Sequence, residues 1–178
     1  AEALLRWQHP TKGMIPPGKF IPVAEASSLI TEIGTWVINE ACANNKAWQD
    51  ANLRSVPIAV NISARQLHDK DLVETIRTAL QKTKLRPELL EIELTESAVM
   101  ENAETAILML KQIKETGVQI SIDDFGTGYS SLSYLHRFPI DLLKVDRSFV
   151  SAMEENTENG EIVRTVIALA KALNLKVV

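Results

Sequence analysis

Short runs rich in β-branched residues alternate with longer amphipathic stretches along the whole chain. Residues 1–7 (AEALLRW), 57–63 (PIAVNIS), 89–97 (LLEIELTES), 118–125 (VQISIDDF) and 142–150 (LLKVDRSFV) predict strands. Apolar positions at helical spacing predict helices over 20–49, carried by Ile30, Ile33, Val37, Ile38 and Ala41, and over 71–84, 101–117, 131–138 and 160–174. Ser27 or Ser28 stands near the start of the first helix, Asp71 at the start of the second, and Gly117 closes the third. Residues 8–19 (QHPTKGMIPPGK) read as a turn-rich loop and 154–161 (EENTENGE) as a solvated one. The last residues, LKVV, open another strand.

Strands that each follow a helix must pair in parallel, because a parallel connection needs a crossover element. The expected class is α/β, and no low-complexity tract or Pro/Gly/Ser linker divides the chain, so one domain over 1–178 is expected. The chain opens on one strand and stops inside another, which predicts further sheet material beyond both ends.

Side chains two apart on a strand share a face. One row holds Glu2, Leu4 and Arg6; the next strands give Ala59, Asn61 and Ser63, then Glu91, Glu93 and Thr95, then Gln119, Ser121 and Asp123, then Lys144 and Asp146. The opposite rows are apolar: Val60 and Ile62, Ile92 and Leu94, Ile120 and Ile122, Leu143 and Val145. Parallel strands covered by helices are usually apolar on both faces. Polar residues late in five successive strands instead suit a barrel whose second face points inward and whose function gathers at the carboxyl ends. Any one acid here, taken alone, reads as a solvated or capping residue sooner than as a ligand, with Glu91 and Glu96 about even, Asn61 reads as a turn residue and Asp146 as a helix N-cap. Five strands repeating the pattern outweigh that.

Convergent carboxylates repel by roughly 4 kcal/mol per pair at about 4 Å and an effective dielectric of about 20. Lys144 and Arg6 offset part of this, and a divalent cation offsets more. Glu2, Asn61, Glu93 and Asp123 are oxygen donors suited to Mg²⁺ or Mn²⁺, and Asp124 can turn to a second cation of the kind that clamps a phosphoryl displacement. Gly126 and Gly128 permit that turn.

Composition narrows the rest. Apolar residues make up 46% and charged residues 24%, as in a soluble globular protein, and the net charge of −4 gives no reason to expect a polyanion-binding face over the whole molecule, so no duplex nucleic acid is expected. Cys42 is the single cysteine, which rules out a disulfide framework or thiolate metal site and fits a reducing, cytoplasmic compartment. No apolar run is long enough for a membrane span; a membrane anchor elsewhere in a parent protein remains compatible with this. His9, His68 and His136 lack metal-ligand spacing. DFG comes without the other kinase motifs, and GTG is neither a P-loop nor a dinucleotide fingerprint. Trp7, Trp36 and Trp48 read as packing residues, with Trp7 next to the proposed site.

EALLRW, NIS, ELTES, DDFGTGYSSL and KVDRSF, in this order and each late in a strand, resemble the EAL domain, the cyclic di-GMP phosphodiesterase module of bacterial signalling; IPPGKFIPVAE is similar to the same family. The resemblance implies a TIM-type (β/α)₈ barrel variant, incomplete in this chain, whose first strand is antiparallel. It implies hydrolysis of cyclic di-GMP to linear pGpG with Mg²⁺ or Mn²⁺. Carried over, Glu2, Asn61, Glu93, Asp123 and Asp124 are metal ligands, Lys144 contacts the nucleophilic water or reacting phosphate, and Asp146 is an acid beside the metals. Arg6 holds a substrate phosphate, with Leu4 beside it on the same row. Glu96 anchors the loop after Asp124, and that loop, 125–132, implies a homodimer whose assembly couples to activity. The family also places a glutamate in an EGVE run and a glutamine in its last strand, both beyond Val178. The alternative is a catalytically impaired EAL domain acting as a cyclic di-GMP receptor or regulatory dimerisation module. An upstream sensory or diguanylate cyclase domain in the parent protein fits either reading.

Overall fold

A computed structural model describes residues 1–127, 132–151 and 157–178. Strand β1 (Glu2–Ala3) leads into a hairpin of β2 (Trp7–His9) and β3 (Gly13–Ile15), followed by α1 (Pro17–Ala26) and α2 (Leu29–Asp50). Then come β4 (Ile58–Asn61), α3 (Ala64–Leu67), α4 (Leu72–Thr83), β5 (Leu90–Thr95), α5 (Glu96–Met100), α6 (Ala103–Lys114) and β6 (Gln119–Phe125). The chain ends with α7 (Leu132–Leu135), β7 (Leu142–Val145), α8 (Arg147–Ser151), α9 (Thr157–Ala172) and β8 (Lys176–Val177). Six strands form one all-parallel sheet in the order β1-β4-β5-β6-β7-β8. Consecutive βα units laid down in sequence order make the wall of a barrel-type α/β fold, with β1 and β8 as the edges of the sheet among the described residues.

Local chemistry explains where the sequence expectation was too coarse. The expected first strand stops at Ala3, and the loop after it contains an antiparallel hairpin in which Trp7 pairs with Ile15 and His9 with Gly13. Gly13 has φ +70°, a conformation glycine enters freely. The His9 ring accepts hydrogen bonds from the backbone N–H of Thr11 (3.2 Å) and of Lys12 (3.3 Å), which closes the tight turn. Trp7 packs edge-on against Phe20, ring centres 5.5 Å apart. The expected helix over 20–49 is two helices, because Ser28 takes φ 58° and breaks the ladder between α1 and α2. The expected strand over 142–150 ends at Val145, and Arg147–Ser151 is helical: Asp146 accepts the backbone N–H of Ser148 at 2.8 Å, the N-cap reading of that residue.

The apolar rows pack as expected. Val60, Ile92, Leu94, Ile120 and Leu143 are fully buried against Ile38, Ile76, Leu110, Ile113 and Ala170 of the helices. Burying each large side chain stabilises the fold by about 1.5–3 kcal/mol, which fixes which face of every strand meets the helices.

The amino-terminal foot of the sheet is tied by polar pins. Buried Asn45 of α2 donates to the carbonyls of Val56 and Leu89, both at 3.0 Å. Lys114 donates to Val118 O (3.2 Å) and to both oxygens of Asp141 (2.7 and 2.5 Å), while Asp141 also accepts the N–H of Ile120 at 2.9 Å.

At the opposite end of β4, Gln66 braces Ser63: its Oε1 accepts the backbone N–H (3.2 Å) and hydroxyl (3.0 Å) of Ser63. Gln66 fits only because residue 34 of α2 is glycine; a Cβ there would lie 1.7 Å from Gln66 Nε2 and 2.8 Å from its Cδ. In an open helix Gly→Ala stabilises by about 1 kcal/mol. Here Gly34→Ala is expected to destabilise by about 1–3 kcal/mol, because the buried amide must vacate its place. Thermal melting checks this, and adding Gln66→Ala to the variant recovers most of the loss.

Candidate functional site

The polar rows meet at the carboxyl ends of the strands, and register decides how. Asn61 lies beside Glu93, Glu93 beside Ser121, and Thr95 beside Asp123. Asn61 donates from Nδ2 to Glu2 Oε1 at 2.7 Å, joining β1 to β4. Glu93, 1% exposed, accepts a hydrogen bond from the Lys144 ammonium across β6, and the Asp123 carboxylate lies close enough to press on its charge.

A β-bulge explains how two adjacent acids serve one site. Ile122 pairs with Leu143 and Phe125 with Val145, so Asp123 and Asp124 together stand opposite Lys144 alone. Asp124 absorbs the extra residue at φ 53°. Strict alternation would put Phe125 in the polar row with Asp123. The bulge resets the count, so Phe125 is buried in the core and Asp124 is left exposed at the mouth, beside Asp146.

Electrostatics follow the geometry. Burial pushes the Glu93 carboxyl from its ordinary 4.5 up to about 7, against the opposing pull of the Lys144 ammonium and with a further push from Asp123. Burial, then the Asp123 and Asp146 carboxylates, raise Asp124, while hydrogen bonds from the Ser148 hydroxyl and backbone lower Asp146. Burial pulls Lys144 down, but the Glu93 hydrogen bond and the charges of Glu93, Asp123 and Glu91 outweigh it and hold the ammonium above the ordinary lysine range.

Glu2 with Asn61 and Glu93 with Lys144 thus form two bonded pairs at the mouth, with Asp123, Asp124 and Asp146 at the bulge beside them. Among the described residues, no three His, Cys, Asp or Glu side chains close on a point as a finished ion site. The donor set nonetheless suits a hard cation: all ligating atoms are oxygens, and Glu93 Oε2 is buried with no partner. Lys144 stands where a cation would compete for Glu93.

Leu4 and Arg6 fall beyond the end of β1 rather than on its strand, and both are exposed. They line a cavity of about 490 Å³ that also touches Asn61, Ser63 and Thr95. The Arg6 guanidinium donates to Leu5 O at 3.0 Å and has no acidic partner among the described residues. Glu96 opens α5 from a buried position, and its Oε2 accepts the N–H of Gly126 at 2.8 Å. A Cβ on Gly126, at φ +102°, would lie 3.1 Å from the Phe149 ring of α8. Of the loop 125–132, residues 128–131 lie outside the described residues. Sequence reasoning missed the Gln66 brace, for which the S-x-x-Q spacing of a capping box was an available signal.

Acids, an amide and a lysine gathered at the carboxyl mouth of a parallel sheet define a barrel-type α/β ligand site. The chain belongs to the EAL domain family, whose model matches residues 1–178. It is 47% identical over 177 residues to a bifunctional diguanylate cyclase/cyclic di-GMP phosphodiesterase, MucR, of Pseudomonas aeruginosa, covering 99% of this chain and 26% of that protein. It is 44% identical to the cyclic di-GMP phosphodiesterase PdeR of Escherichia coli, covering 99% and 27%. The solved P. aeruginosa MucR phosphodiesterase in complex with c-di-GMP superposes with a TM-score of 0.94 at 46% identity, over 99% of this chain and 71% of that one. The chain therefore spans about a quarter of the length of the curated relatives it matches. Among the described residues no helix is long and apolar enough to cross a membrane.

Proposed function

We propose that the protein is a cyclic di-GMP phosphodiesterase, opening the ring to linear pGpG with Mg²⁺ or Mn²⁺, and that this chain is its EAL domain. The observation that carries this reading is the bulge that presents Asp123 and Asp124 together opposite Lys144, joined through Glu93 to the mouth where Glu2 meets Asn61. Glu2, Asn61, Glu93 and Asp123 would hold one cation, and Asp124, beside Asp146, a second. Bound there, divalent ions supply charge neutralisation at the phosphate and acidify water for the attack.

This chain's own residues do the rest. Lys144 keeps a positive charge beside the reacting phosphate, in a partly desolvated place where that charge counts for more than in water. Arg6, an unpaired cation at the cavity wall, pairs with the phosphate oxygens not being displaced. Leu4 adds apolar contact beside it. Glu96, through Gly126, holds the start of the loop at the bulge, and a homodimer through 125–132 would act on the site by that route. Relatives that are several times longer support further domains in the whole protein, a diguanylate cyclase among the candidates.

Incubating the full-length protein with cyclic di-GMP and Mn²⁺, with and without chelator, tests the reading: chelator-sensitive appearance of pGpG is expected. Binding without turnover would make it a receptor instead.

Cation binding should also depend on pH. Glu93 must lose its proton to serve a cation, and its pKa without metal is raised to about 7. Affinity is therefore expected to fall about tenfold between pH 8 and pH 6 and to plateau above pH 8, with about one proton released per cation at pH 6, measured by calorimetry in buffers of different ionisation enthalpy. The same shift makes the metal-free fold bind more protons than the unfolded chain between 4.5 and about 7, so its stability falls as pH rises through that window.

A further inference from the structure

The site contains a buried acid that none of the roles above uses. Glu91 lies two residues before Glu93 on the same face of β5, 8% exposed, and its Oε1 has no hydrogen-bond partner among the described residues. A buried carboxylate oxygen left unpaired is costly, so a group that can serve it is expected nearby.

Lys144, ion-paired here with Glu93, is a cation on the same face of the sheet. An ammonium carries three donors, and one is directed at Glu93 Oε1. The bulge places the backbone of Lys144 level with Asp123, yet its ammonium reaches down the sheet to Glu93, one row deeper, because Glu93 is in register with Ser121. The side chain thus leans towards the row of Glu91, although the ion pair it makes here is with Glu93. On the reading of function above, Glu93 cannot keep both partners: a cation that takes its carboxylate displaces Lys144.

We propose that Glu91 is a positioning residue for Lys144, the carboxylate that retains the ammonium at the floor of the site when a divalent cation occupies Glu93. Without it, the loaded site would push Lys144 away, since a cation and an ammonium facing one carboxylate repel. With it, the positive charge stays beneath the phosphate, and Ser121, fully buried beside Glu93 with its own hydroxyl unpartnered among the described residues, lines the same floor. The inference rests on the phosphodiesterase reading and adds a residue to it.

The test uses the full-length protein with cyclic di-GMP and Mn²⁺. Glu91→Gln and Glu91→Leu, the latter removing the buried polar group altogether, are each expected to lower kcat at least tenfold, with KM, and the Mn²⁺ affinity read by calorimetry without substrate, within twofold of wild type. In a Lys144→Met background, Glu91→Gln should cause no further loss in single-turnover rate, an outcome that general structural damage would not produce. Wild-type kcat in either single variant, or losses that multiply in the double variant, would overturn the role of Glu91. A wild-type protein that leaves cyclic di-GMP intact overturns the functional reading instead, and this proposal with it.

Discussion

Lys144→Met is expected to cut turnover of cyclic di-GMP by about 10²–10³-fold, the range lost when one preorganised charge is removed from a reacting centre. The change keeps the length and most of the volume of the side chain, so KM is expected to move little if Arg6 holds the substrate. The variant also strips Glu93 of its ammonium partner. A carboxyl with 1% exposure cannot remain charged alone, so it takes up a proton. The stability of the metal-free variant is therefore expected to stay close to wild type near pH 6 and to drop below it as pH rises past 7. Steady-state kinetics and melting curves at two pH values check both halves. A variant with near-normal kcat would remove Lys144 from the mechanism.

Gly126→Ala is expected to lower turnover by about 10–100-fold without removing any side chain from the site. Two costs coincide at this position. Its φ of +102° is strained for any residue with a Cβ, and the added methyl meets Phe149 at 3.1 Å. Relief requires the peptide to rotate, and that breaks the bond from its N–H to Glu96 Oε2. The bulge at Asp123 and Asp124 then loses its support on the loop side. Phe149→Ala in the same chain removes the contact but leaves the backbone strain, so it should restore only part of the rate.

The sheet and its polar face were legible because period two forces every strand to choose a side, and the apolar side is unambiguous from Val60 to Leu143. The candidate acids could be named for the same reason. What alternation could not show is the bulge, since an extra residue in a strand leaves no mark on composition; it appears only as Phe125 turning into the core. The hairpin of β2 and β3 was hidden by Pro10 and Gly13, which suit a loop and a tight turn equally well. The DRSFV segment looked like a strand because Phe149 and Val150 favour sheets, and the capping carboxylate of Asp146 overrode that preference. Glu91 was visible as one more acid in a row, but only burial separates an orphaned carboxylate from a solvated one.

Asn45 and the Lys114–Asp141 pair fasten the sheet at the end remote from the acids. Because the two ends share no side chains, damage should sort cleanly by location. Substitutions at the pins are expected to give a protein that melts early yet reacts normally while folded, and those at the mouth one that endures but does no chemistry. Such a division lets the reactive rim be altered without unravelling the scaffold beneath it.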